Sequence, residues 1–88
     1  MMESRLTAIV HAVDGARLIA SAHCPENFTA QIAAYVRERC DQVLGPDVAA
    51  HVRALLRERR LYAAIALYFD RVGDRSDGER LELRGLWN

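Results

Sequence analysis

The chain has 88 residues, of which 51% are hydrophobic and 27% are charged, and twelve basic residues balance twelve acidic ones. This composition excludes a disordered chain, which would combine low hydrophobicity with high net charge, and a protein that binds polyanions through bulk positive charge. The length predicts one small domain that spans residues 1–88.

The first segment, residues 5–24, is typical of a β-hairpin. Its turn signal is the pair Asp14-Gly15, which β-forming residues flank on both sides. A two-residue turn at this pair would place Val13 opposite Ala16. A helix is the alternative, because the apolar residues also fit a helical stripe, but it would carry a glycine near its middle at a cost of about 1 kcal/mol.

Two helices are predicted next, over residues 25–44 and 47–59. Apolar residues recur at helical spacing in both segments. Pro25 suits the first turn of a helix, where its missing N–H costs nothing. Gly45-Pro46 ends the first helix, so the short connection predicts an αα-hairpin or a sharp corner.

The last segment, residues 61–87, fits two structures. Apolar and other residues alternate over residues 61–69 and again over 80–87, which favours two strands joined by a loop at residues 73–78. A helix that ends at Gly73 is the alternative for the first run. We therefore expect a β-β-α-α-β-β order, an α+β fold with two helices on one face of a small antiparallel sheet; the alternative is a mostly helical fold with a short C-terminal strand.

The leading functional hypothesis is a non-enzymatic protein-interaction or regulatory module that acts as a homodimer or as a subunit of a complex. A short chain buries only about 60–65% of its unfolded surface, so a partner would add buried area. If residues 61–69 form a strand that helices cover on one side, aromatic side chains remain exposed on the other. The predicted contact residues are Tyr62, Tyr68 and Trp87.

A second hypothesis is a small nucleic-acid-binding regulator. Arg53, Arg57 and Arg60 are spaced by four and three residues, so on one helix they would share a face that binds phosphates or an acidic protein surface. The ordinary interpretation is a solvated helix end, and no nucleic-acid-binding motif accompanies these arginines.

A third hypothesis is thiol chemistry at Cys24, which directly precedes a predicted helix N-terminus. The adjacent His23 would point away from it on an extended chain, and Cys40 occupies a predicted core position. Together with His51 these residues match no compact metal-ligand spacing, so we expect neither a metal nor a cofactor.

No catalytic residues are assigned. The acidic side chains of the last segment, Glu79 among them, alternate with arginines and are expected to be solvated and ionised. A signal peptide and an apolar run of membrane-spanning length are not recognised, and two cysteines are too few for a disulfide framework. These features predict a soluble cytoplasmic protein.

Overall fold

The computed structural model describes residues 5–74 and 78–85. In chain order its elements are β1 (Leu6–Ala12), β2 (Gly15–Ala22), α1 (Pro25–Val43), α2 (Pro46–Arg57), α3 (Leu61–Gly73) and β3 (Arg80–Arg84). The strands form an antiparallel sheet in the order β2-β1-β3. The predicted α+β class is therefore confirmed.

The predicted hairpin is present as β1 and β2, but its turn lies elsewhere. Val13 and Asp14 form the turn, and Ala16 pairs with His11 rather than with Val13. A type I′ turn centred on Asp14-Gly15 would need positive φ at both of these residues. Only Gly15 has a positive φ here, +129°, so it follows the turn instead of forming its centre.

All three helices contribute to the core, and α1 and α3 cover the inner face of the sheet. Alanines on β1 and β2 and Leu6 pack there against Phe28 and Ile32 of α1 and against Ile65 of α3. A second cluster joins α1, α2 and α3 around Val36 and other buried apolar side chains. The two predicted helices, α1 and α2, are confirmed, and the Gly45-Pro46 step separates them.

The outer face of the sheet carries polar pairs. His11 on β1 and Glu82 on β3 approach to 2.6 Å through Nε2 and Oε1. Arg84 donates a second hydrogen bond to Glu82. The Arg84 bond, followed by the His11 bond, lowers the pKa of Glu82 to about 2. This face therefore keeps an ionised carboxylate between two basic side chains.

The strand predicted over residues 61–69 is wrong, because this segment forms the first part of helix α3. Ala64, Tyr68 and Val72 are buried and recur every four residues, which is one face of a helix. The segment is apolar on several sides because α3 packs between α1, α2 and the sheet, and its alanines favour helix. Much of its apolar surface is thus covered within the subunit, while Tyr62 remains exposed, so the segment as a whole no longer requires a partner to cover it.

The last predicted strand is present as β3, but its expected pairing is wrong. It pairs antiparallel with β1, where Leu81 lies opposite Val10, and not with residues 61–71. Because that segment is helical, β1 offers the open strand edge that β3 needs for its backbone hydrogen bonds. The observed order is therefore β-β-α-α-α-β.

A buried ionic cluster joins β3 to the helices. Glu79 is only 5% exposed, so the expectation that it is solvated is wrong. Its Oε1 accepts hydrogen bonds of 2.9 Å from the hydroxyls of Tyr35 and Tyr68. Its Oε2 lies 2.6 Å from Nη2 of Arg39. These partners compensate for the burial of the carboxylate.

The two phenols of this cluster are held in their protonated form. Burial, and then the neighbouring Glu79 carboxylate, raises the pKa of Tyr35 to about 12. Burial also raises the pKa of Tyr68 above its usual range. The hydrogen bond that Nε of Arg39 donates to the Tyr68 hydroxyl at 3.3 Å opposes this shift, and Glu79 adds to it. Each hydroxyl therefore remains a donor to Glu79 at neutral pH.

We expect the free energy of unfolding to fall as the pH rises from about 10 towards about 12. The folded protein retains the protons of Tyr35 and Tyr68 over this range while the unfolded chain releases them. The contribution of these two hydroxyls to stability is thus complete below their pKa in the unfolded chain. It is lost as the pH approaches their pKa in the folded protein. Urea unfolding at a series of alkaline pH values measures it, and Tyr35→Phe should have a shallower dependence. A wild-type stability that stays flat over this range would contradict the prediction.

Candidate partner-binding groove

A concave site opens where α1, α2 and the link from α2 to α3 meet. Its cavity is about 430 Å³ in volume, and its floor is apolar. We call it the arginine groove, and its lining consists of Ala30, Ala33, Arg37, Arg53, Leu56, Arg57, Arg59 and Leu61. It thus combines four guanidinium groups with an aliphatic base.

Two of the three predicted arginines line this groove. Arg53 and Arg57 lie one helical turn apart on α2, as expected from their spacing. Arg60 does not share their face, because α2 ends at Arg57 and Arg60 is the N-cap of α3. The prediction of a common helical face is therefore wrong for Arg60.

Two groove arginines were missed at the level of sequence. Arg37 was expected only to face water, and it is exposed, but Ala30 and Ala33 on the same side of α1 leave room for the groove beside it. Two small residues at i and i+3 and an arginine at i+7 lie on one side of a helix, so this spacing could have indicated the groove from the sequence. Arg59 belongs to the same basic cluster in the sequence as Arg57 and Arg60, but its position at the groove depends on how the link after α2 turns.

Three of the four guanidinium groups have no ion-pair partner in the part of the chain that the structure describes. Arg53 forms an ion pair with Asp41 of α1. Arg37, Arg57 and Arg59 contact no described carboxylate. A guanidinium group presents donors that match a carboxylate or a phosphate in a bidentate arrangement. The groove is therefore suited to an anionic group.

Arg59 is held in a conformation that glycine normally adopts. The N–H of Arg59 bonds to the carbonyl of Leu56 and the N–H of Arg60 to that of Leu55, at 3.1 and 3.0 Å. This is the Schellman arrangement, in which the residue after the C-cap is left-handed. Arg59 has φ +62°, the only positive φ of a non-glycine residue among those described. In this backbone conformation the Arg59 side chain lines the groove.

The predicted aromatic contacts are separated by the fold. Tyr62 begins the exposed side of α3 and is 76% exposed, and its hydroxyl accepts a 3.5 Å hydrogen bond from Thr29. Tyr68 is completely buried, so the prediction that it contacts a partner is corrected. Trp87 lies outside the described residues.

Cys24 is the N-cap of α1 and is partly exposed. Its thiol donates a 2.7 Å hydrogen bond to Oε1 of Glu26, which lowers the pKa of that carboxylate. Nucleophilic chemistry at this position would require the thiolate. The neighbouring His23 contacts Arg5 instead, at 2.8 Å. Among these contacts, the base that faces the sulfur is therefore the Glu26 carboxylate and not the imidazole.

The described residues contain no group of three or more metal-ligating side chains. Cys40 is buried in the core between the helices. No helix in the described ranges has the length and apolar character needed to cross a membrane. No family model matches the chain, and no curated protein or solved structure shows significant similarity to it.

We expect Arg59→Gly to raise the free energy of unfolding by roughly 1 kcal/mol, because glycine adopts the left-handed conformation without a Cβ clash. Arg59→Ala is the matched control, since it removes the guanidinium group but retains the Cβ. Urea unfolding of the three proteins with equal m values measures the difference. An alanine variant as stable as the glycine variant would show that the strain at φ +62° is not the cause.

Proposed function

We propose that this protein is a non-enzymatic interaction module that binds an acidic segment of a partner protein in the arginine groove. The observation that carries the proposal is the set of three guanidinium groups without an ion-pair partner in the described residues, placed around a concave apolar floor. Arg37, Arg57 and Arg59 would bind carboxylates, and Leu56 and Leu61 would contact the aliphatic parts of the same segment.

The lining favours a protein over a nucleic acid as the ligand. Alanine and leucine form the floor, and among the described residues no aromatic ring lines the groove for a base to stack on. The chain as a whole has no net charge, so its attraction for a polyanion depends on local clusters of basic residues such as this small site. Nucleic-acid binders commonly extend a basic surface over many phosphates.

The module would then act as a subunit of a complex, with its partner supplying the acidic residues. The exposed arginines of the groove favour a different protein as the partner. Two copies of this chain that met groove to groove would bring the same positive charges together. Cys24 and Cys40 are both free thiols, which supports a reducing compartment such as the cytoplasm.

We expect the protein to bind poly-L-glutamate, and Arg57→Glu to weaken that binding by at least about tenfold, since it replaces an attraction with a repulsion. Fluorescence anisotropy with labelled poly-L-glutamate measures it, and binding should weaken as salt increases. Arg71→Glu is the matched control, because Arg71 is an exposed arginine of α3 outside the groove.

Two results would overturn the proposal. Equal losses in Arg57→Glu and Arg71→Glu would mean that binding depends on general charge and not on the groove. Stronger binding to a mixed-sequence DNA or RNA duplex, lost in Arg57→Glu, would instead establish the nucleic-acid-binding alternative. Light scattering on the same samples determines whether the unbound protein is a monomer or a homodimer.

A further inference from the structure

An apolar cleft lies between the edge of the sheet and helices α1 and α3. Its cavity is about 450 Å³ in volume, and aliphatic and aromatic side chains dominate its lining, among them Phe28, Ile32, Ile65 and Leu83. Leu83 is 42% exposed although it is a large apolar residue. A preformed concave site of this size and composition is typical of a binding pocket for an apolar group.

The cleft and the arginine groove are connected along the surface between α1 and α3. A shallow depression between them shares Arg59 and Leu61 with the groove. The same depression shares Thr29 and Tyr62 with the cleft. The exposed ring of Tyr62 therefore lies where the depression joins the cleft. The groove, the depression and the cleft form one continuous track, with arginines at one end and apolar side chains at the other.

We infer that the segment bound by this module is amphipathic, with carboxylates at the arginine groove and a large apolar side chain seated in the cleft beyond Tyr62. The inference rests on the proposed function of the groove and adds the second anchor of the ligand. Charge complementarity assigns the acidic end to Arg57 and Arg59, and continuity of the track assigns the apolar end to the cleft.

The depression between the groove and the cleft determines which part of the ligand is acidic. Glu26 lines it together with Arg59, so an additional carboxylate placed there would meet a like charge. Acidic residues are therefore confined to the groove end, and the residues above the depression are neutral. Tyr62 offers an exposed aromatic surface at this point, which is typical of residues that dominate binding energy.

Short synthetic peptides of Glu, Ser and Gly, with equal net charge and with or without a leucine pair at varied distances from the Glu run, test the inference. We expect one leucine spacing to bind at least about tenfold more tightly than the plain acidic peptide, because a buried apolar side chain adds that much or more. Tyr62→Ala and Leu83→Ser should both abolish this gain, and Leu83→Ser should leave the binding of the plain peptide unaffected. Leu18→Ser, an exposed leucine of β2 away from the track, is the matched control.

The outcomes separate the inference from the proposed function. Binding of the plain acidic peptide with no gain at any leucine spacing, or a gain that survives both Tyr62→Ala and Leu83→Ser, would overturn the inference alone. Absence of binding by every peptide would overturn the proposed function and the inference with it. If Arg57→Gln left leucine-dependent binding unchanged, the cleft would remain a binding site for an apolar group. The assignment of an acidic end to the ligand would then be overturned.

Discussion

The structure depends on the burial of one carboxylate. Glu79 lies in the interior and contacts Arg39 and Tyr35 of α1 and Tyr68 of α3. A buried charge that lacks any of its partners is strongly destabilising, by about 3–5 kcal/mol when an ion pair is broken. Strand β3, which follows Glu79, therefore has to meet helices α1 and α3 in one arrangement. Among the described residues, no buried side-chain nitrogen or oxygen lacks a hydrogen-bond partner.

The same arrangement of α3 against α1 creates the surface on which the proposed function rests. Tyr68 is directed into the core towards Glu79, so Tyr62, at the other end of α3, remains on the open side of the helix. The Schellman turn before α3 brings Leu61 to the floor of the groove and leaves Arg59 at its rim. The interior contact and the exposed track are thus two consequences of one helix placement.

A protein with no net charge can still present a strongly cationic site, because the distribution of charge decides binding more than its sum. Arg53 is neutralised by Asp41, whereas its neighbours in the groove have no described partner. Arg59 is an arginine in a left-handed position where glycine would be less strained, and a backbone outlier of this kind favours a functional use of the side chain. In the proposed ligand, an apolar anchor in the adjoining cleft would add to charge recognition in the groove.

Local patterns in the sequence determined the α+β class, the first hairpin, helices α1 and α2, and the pairing of Arg53 with Arg57 on one face, because each depends on residues close in the chain. The state of residues 61–69 was decided only by tertiary packing: its alternation fits a strand, but burial on several sides favours a helix. The burial of Glu79 and the separation of Tyr62 from Tyr68 follow from contacts between elements distant in sequence. No local pattern encodes such contacts, since they exist only once the helices have packed.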